Sequence, residues 1–273
     1  MMDYNELALK KHQQLKGKIS VELKDALDSK DALSTYYSPG VGAVSSLLAK
    51  SPELARDYTW TGNTVAVISD GSAVLGLGDI GPIAALPVME GKCMLFKHFA
   101  GIDAVPVVLD IHSADEIVAA VKAIAPTYGG INLEDIAAPL CFEVEERLKA
   151  ELTIPVFHDD QHGTAIVTLA GLINAMKISG RNLSDAKIVV AGAGAAGTAI
   201  VKLLHLYAKP SIFVVDSKGV VSANRTDLNQ EKKVLLNYSN FSSADGSLAE
   251  IMQGADVFIG VSKAGLVTEE MVK

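Results

Sequence analysis

The chain has 273 residues, of which 49% are hydrophobic, 21% charged and 5% aromatic. That apolar content excludes wholesale disorder, and no uninterrupted apolar run approaches the ~20 residues that a membrane span needs. Lysine and arginine total 24 against 32 aspartates and glutamates, a formal net charge of −8 that argues against nucleic acid and anionic membranes as partners.

A mean hydropathy of +0.28 points to buried parallel strands and apolar helices. The N-terminal residues carry charges throughout and lack the apolar core of a signal peptide. The two cysteines, Cys93 and Cys141, are too few for a disulfide framework and fit a reducing compartment. A cytoplasmic protein is expected.

In chain order, Asn5 to Gln14 reads as a short surface helix and residues 18–30 as weakly helical, either a solvated arm or a subunit contact. Tyr36 to Gly42 is a Pro/Gly loop, and Val44 to Lys50 a helix. Thr64 to Ser69 is a β-rich run closed by the Asp70-Gly71 turn signal, and Ala73 to Gly78 is a second short strand-like run. A helix over Pro82 to Phe99 follows, then a buried strand over Ala104 to Asp110. Ser113 to Ile124 is a helix whose Ser113 and Glu116 match a capping box. Tyr128 to Leu133 leads into Glu134-Asp135, and residues 139–151 form an amphipathic helix. Ile154 to Phe157 is a strand ending in His158-Asp159-Asp160, and Thr164 to Ile178 a long apolar helix. Alternating strands and helices imply a parallel α/β architecture, with a domain boundary between residues 160 and 180 and no internal repeat.

The most informative segment follows the buried strand Lys187 to Ala191. Gly192-Ala193-Gly194-Ala195-Ala196-Gly197 opens an apolar helix that runs through Leu206, and the next strand, Ser211 to Val215, ends at Asp216. A bare G-x-G-x-x-G is weak, but between a strand and a helix, with an acid about 20 residues on, it is a dinucleotide fingerprint. The three glycines turn the chain, admit a diphosphate and pack helix on strand, while the helix N-terminus favours the anion. Asp216 would accept from the adenosine ribose and so favours NAD; Lys218 beside it could instead meet the 2′-phosphate of NADP. After a third strand, Asp256 to Val261, the sequence closes within a dozen residues. Only half of a six-strand domain is then present, so the chain is expected to be a shortened form of a longer protein.

Two adjacent acid pairs stand at strand ends, where ligands bind in α/β sheets. Glu134-Asp135 has an ordinary explanation as acids in the first turn of a helix. Asp159-Asp160 is flanked by buried-looking chain, and burying adjacent carboxylates without a cation is costly. Carboxylate oxygens suit Mg²⁺ or Mn²⁺. His158 and His162 mimic a zinc pair, but the segment starts at a strand end and lacks the glutamate that follows the first histidine; polar packing explains them better. Lys92, among apolar neighbours, is either a snorkelling surface lysine or a general base with a lowered pKa. Tyr37, in the Pro/Gly loop, is either a packing aromatic or a general acid.

Taken together, Tyr37-Ser38-Pro39-Gly40-Val41, Val74 to Gly81, Pro87 to Lys92, Asn132 to Asp135 and Pro155 to Ala165 resemble the malic enzyme family in its short bacterial form. They come in the family's order and span nearly the whole chain. The resemblance implies oxidative decarboxylation of L-malate to pyruvate and CO₂, using NAD or NADP and Mg²⁺ or Mn²⁺. It makes Tyr37 the general acid and Lys92 the general base. It makes Glu134, Asp135 and Asp160 the metal ligands, with Asp159 a neighbouring acid. It also implies an N-terminal α/β substrate and metal domain over residues 1–160 and a Rossmann-type parallel-sheet domain, incomplete at its C-terminus, over residues 161–273. A homodimer or larger assembly is expected.

Two departures stand out. Val74 occupies the place where longer members carry an arginine that clamps a malate carboxylate, and the family's downstream asparagines lie beyond Lys273. A protein ending there is expected to be inactive or nearly so. Two rival readings are another NAD(P)-dependent hydroxy-acid or amino-acid dehydrogenase, and a shortened, non-catalytic nucleotide-binding module. Metal-dependent turnover of malate favours malic enzyme over another dehydrogenase; tight cofactor binding without turnover supports the module.

Overall fold

In a computed structural model, which describes residues 3–74, 76–239 and 245–273, the chain divides into two compact units. The first comprises residues 1–137 and 143–157, the second residues 138–142 and 158–273.

The first unit begins with helices α1 (Tyr4–Leu15), α2 (Lys30–Tyr36), α3 (Val41–Lys50) and α4 (Ala55–Tyr58). β1 (Thr64–Ser69), α5 (Gly81–Ala100), β2 (Asp103–Val108), α6 (Ala114–Ile124), β3 (Gly130–Leu133), α7 (Leu140–Glu151) and β4 (Val156–His158) follow. The sheet order is β2-β1-β3-β4, and β1 runs parallel to both β2 and β3. Ala66, Val67, Ile68, Ile131 and Leu133 are all but wholly buried, because central parallel strands are covered on both faces. Parallel β1 and β3 end side by side, Ile68 opposite Leu133, so the residues that follow them emerge at one edge.

The second unit starts on α8 (Asp159–Ser179) and continues through β5 (Lys187–Ala191), α9 (Ala195–Ala208), β6 (Ser211–Asp216) and β7 (Gly219–Val220). α10 (Gln230–Leu235), α11 (Leu248–Met252), β8 (Val257–Gly260) and α12 (Glu269–Val272) complete it. Its sheet order is β7-β6-β5-β8, with β5 parallel to β6 and β8 and β7 antiparallel to β6. Ile188, Val190, Ile200, Leu204 and Ile212 form its apolar centre.

Four sequence expectations need correction. Residues 18–28 form no helix; Val21, Leu23 and Leu27 are exposed and share no buried face. β2 is only partly buried along its length, because it is an edge strand with one neighbour. The run from Ala73 to Gly78 is a turn closed by a single Val74–Gly78 bridge rather than a strand, and its Leu75 lies outside the described residues. α8 begins at Asp159, five residues before the expected Thr164, so the acids of the second pair lie in its first turn, where the helix dipole favours them. Ser113 does cap α6, its hydroxyl accepting from the Glu116 N–H at 3.3 Å. The full reciprocal capping box stands instead at Ser247 and Glu250, which open α11.

Leu204 on α9 is 1% exposed in the centre of the second unit. Leu204→Ala is expected to cost about 2–5 kcal/mol by leaving a cavity, read as a lowered urea midpoint at unchanged slope.

Candidate functional site

In the first unit the site grows from the end of β3. The Glu134 N–H donates to the Ile68 carbonyl at 2.8 Å, carrying the strand ladder one residue past β3. Its carboxylate turns back into the protein: Oε1 lies 2.9 Å from Lys92 Nζ, and Oε2 accepts from Asn132 Nδ2 at 2.9 Å. Glu134 and Asp135 are 5% and 4% exposed. Lys92 is thus no snorkelling surface residue. It sits in mid-α5 beside buried Met89 and Cys93, a helix position that aims its amine at Glu134. Burial, with Glu90 nearby, pushes the Cys93 thiol up to about 12, so this cysteine is an inert packing residue.

Asp135 has a φ of +54°, the left-handed region that few residues other than glycine, asparagine and aspartate adopt. Such a backbone costs on the order of 1–3 kcal/mol and persists only where its surroundings impose it. Here the Ala73 N–H donates to the Asp135 carbonyl at 3.0 Å, and the Ala137 N–H to Ser72 Oγ at 2.9 Å. Glu134 and Asp135 therefore lie in irregular chain between β3 and α7, not in a helical first turn.

Tyr37 caps the C-terminus of α2, its N–H bonded to the Leu33 carbonyl, and the residue is 69% exposed. Gly40 makes this corner possible, since a Cβ there would meet the Ser34 and Thr35 carbonyls at 2.7 and 2.5 Å.

In the second unit, Asp159 and Asp160 open α8. A Cβ on Gly163 would come within 2.1 Å of Asp159 Oδ1, so this position admits only glycine while Asp159 folds over it. His158, wholly buried, places Nε2 3.7 Å from Asp160 Oδ2.

The glycine loop behaves as its spacing predicts. Gly192 has φ +130°, and a Cβ on Gly197 would lie 1.9 Å from the Gly192 carbonyl. Around Gly194 a Cβ would meet nothing within 4 Å, and no side chain caps α9 there. Ala193, Ala195 and Ala196 fill the loop with the smallest chiral residue. The open space and the uncapped N–H groups fit a diphosphate.

Asp216 departs from the simple expectation of an acid open to a ribose. Its side chain is 7% exposed, and its oxygens accept from Arg225 Nη1 at 2.8 Å, Lys232 Nζ at 2.6 Å and the Lys218 N–H at 2.9 Å. Lys218 Nζ is itself 2.7 Å from Asp227. Burial raises the Asp216 carboxyl, but the hydrogen bonds from Arg225 and Lys232 outweigh it and hold the group below the ordinary carboxylate value. Sequence reading missed Arg225 and Lys232 because nothing in their spacing ties them to Asp216. It also missed Asn132, although two residues before Glu134 on a strand is a same-face position.

The family model described as malic enzyme, N-terminal domain, matches residues 16–116 and 111–149, and that described as malic enzyme, NAD binding domain, matches residues 161–273. The bifunctional malic/malolactic enzyme of Bacillus subtilis is 53% identical over 273 residues, covering 100% of this chain and 67% of that protein. An NADP-dependent malic enzyme of Halomonas elongata is 50% identical over 259 residues, covering 94% of this chain and 60% of that protein. The crystal structure of an NAD-dependent malic enzyme from Thermotoga maritima superposes with a TM-score of 0.93 at 46% identity, covering 100% of this chain and 72% of that one.

A carboxyl held low in the folded state adds stability above its unfolded pKa, and that stability is lost as pH falls through the native value. Asp216→Asn is therefore expected to be less stable than wild type at pH 7. The gap should narrow below about pH 3.9, the ordinary aspartate value, as urea midpoints across pH 7 to 2.5 would reveal.

Proposed function

The chain belongs to the malic enzyme family, and on that footing we propose that it oxidises L-malate at C2 and decarboxylates it to pyruvate and CO₂, with NAD or NADP as oxidant and Mg²⁺ or Mn²⁺ as cation. The reading rests most on Lys92 Nζ at 2.9 Å from Glu134 Oε1, a basic group held against an acid at the carboxyl end of a parallel strand. A dinucleotide held along Gly192 to Gly197 would supply the hydride acceptor for C2, and a cation held by Glu134, Asp135 and Asp160 would supply the positive charge that polarises the C2 oxygen for loss of CO₂.

This chain's own residues handle the protons. With the charge of Glu134 shared by a cation, Lys92 would no longer be held as an ammonium; in its neutral form it takes the C2 hydroxyl proton, and Glu134 beside it stabilises the ammonium that results. Tyr37 delivers a proton to C3 after CO₂ departs and recovers one from Lys92.

Glu134, Asp135 and Asp160 are the proposed cation ligands, and Asp159 the acid next to them. Carboxylates are the hard oxygen donors that Mg²⁺ and Mn²⁺ prefer, and sharing a cation offsets the cost of burying Glu134 and Asp135. In the proposed division, residues 1–160 carry substrate and cation and residues 161–273 carry the dinucleotide along Gly192 to Gly197. Assembly as a homodimer or larger is supported by the apolar side chains Leu9, Val21 and Leu23, each more than 70% exposed on the N-terminal arm. Cytoplasmic residence is supported by the two buried free cysteines. Among the described residues, no helix is long and apolar enough to cross a membrane.

An assay of L-malate with NAD or NADP, with and without Mn²⁺, is expected to show turnover only with the metal. Lys92→Ala and Tyr37→Phe should each lower kcat by roughly 10²–10⁴-fold with an unchanged circular dichroism spectrum. Near-normal turnover in either variant removes that residue from its role, and tight dinucleotide binding without any turnover in wild type favours a binding module.

A further inference from the structure

The turn after β1 has no part in the chemistry above, yet it is built onto the acid-bearing segment. Asp70 is 1% exposed, and its Oδ1 accepts both the Ser72 N–H at 3.0 Å and the Ser72 hydroxyl at 2.6 Å. Asp70 Oδ2 has no hydrogen-bond partner among the described residues; the nearest basic group is His112 Nδ1 at 3.9 Å. All of the polar holding by this buried carboxylate therefore passes through one oxygen into Ser72. Ser72 Oγ, with its proton committed to Asp70, has its lone pairs aimed at the Ala137 N–H, which it accepts at 2.9 Å. One residue along, the Ala73 N–H donates to the Asp135 carbonyl at 3.0 Å.

The two bonds from this turn grip the chain at Asp135 and two residues beyond it. The positive φ of Asp135 lies between the first of these bonds and the strand-ladder bond from the Glu134 N–H to the Ile68 carbonyl, so the turn supplies the hold on its C-terminal side for a conformation that relaxes to negative φ unless both sides are held. The turn itself is anchored: the Gly71 N–H donates to Ser69 Oγ at 3.0 Å, and the Gly71 carbonyl accepts from the Ile80 N–H at 3.1 Å. A Cβ on Gly71 would lie 2.3 Å from the Gly81 carbonyl, so turn and α5 start are pressed together.

We propose that Ser72, oriented by Asp70, is a positioning residue for the divalent cation: its hydroxyl fixes the backbone that aims the Asp135 carboxylate. The proposal rests on the reading of Glu134, Asp135 and Asp160 as cation ligands. Groups one step removed from a metal's ligands commonly set its affinity by a factor of ten or more.

The test is Mn²⁺ binding alone, measured by isothermal titration and by the electron paramagnetic resonance signal of free Mn²⁺, without substrate or dinucleotide. Ser72→Ala is expected to weaken Mn²⁺ binding about tenfold while its circular dichroism spectrum at the assay temperature stays that of a folded chain, and Ser72→Thr, which keeps the hydroxyl, to restore the affinity. Wild-type affinity in Ser72→Ala overturns the proposal and leaves the ligand assignment standing. Equal weakening in Ser72→Ala and Ser72→Thr also overturns it, since the hydroxyl would then be irrelevant. Failure of the wild-type chain to bind Mn²⁺ overturns the ligand assignment itself, and the proposal with it.

Discussion

The first unit is organised around the cost of taking two adjacent carboxylates out of water. Glu134 and Asp135 are 5% and 4% exposed, where an unpartnered charge would cost several kcal/mol. Parallel pairing places the pair: β1 and β3 end together, and the strand ladder extends through Glu134 to the Ile68 carbonyl. Lys92 supplies the opposing charge from mid-α5, and Asn132, on the same face of β3, satisfies the second oxygen of Glu134. The buried positions around Lys92, Met89 and Cys93, matter because they fix the rotation of α5 and hence where the amine points. Removing either partner of the Lys92–Glu134 pair strands the other.

The second unit solves a different problem with the same strand-end logic. Its glycine loop is made of backbone, so the sequence there is a list of what must be missing. Gly192 and Gly197 lack side chains because the chain crosses itself at the turn; Gly194 lacks one because the space in front of α9 stays open. At the end of β6 the unit uses charge instead, with Asp216 and Asp227 interlaced with Lys218, Arg225 and Lys232. Three cations and two carboxylates make a closed network that ties the loop after β7 to β6.

The central strands were legible in the sequence because β-branched runs such as 64–69, 187–191 and 211–215 are buried on both faces, and burial needs only composition. The glycine loop was legible because its three positions answer to three separate steric demands. Strand order is not, and so the sequence predicts a buried strand where β2 lies at an edge. The two-residue β7 was invisible, being created by the Ser217-Lys218 turn and opening on Gly219, whose φ is +110°. Lys92 stood out by its apolar neighbours, but its contact with Glu134 spans 42 positions and is a product of the fold. The Asp70-Gly71 turn signal says where the chain reverses and nothing about what the reversed chain holds.

The two acid pairs make the same point in one comparison. Both are adjacent carboxylates following an apolar strand, and the structure gives each the surroundings that the sequence predicts for the other. What separates them is the next four residues. After Asp135 come Ile136, Ala137, Ala138 and Pro139; the residue before a proline is pushed away from helical angles, so a helix cannot begin there. After Asp160 come Gln161, His162, Gly163 and Thr164, which place no such bar, and α8 starts on the acids themselves. The helical pair is held by the dipole and N–H groups of its own first turn. The other pair has no helix to lean on, and this is why a separate turn, 65 residues earlier in the chain, reaches Ala137 through Ser72. A carboxylate fixed in irregular backbone depends on contacts remote in sequence, whereas one fixed at a helix start carries most of its support with it.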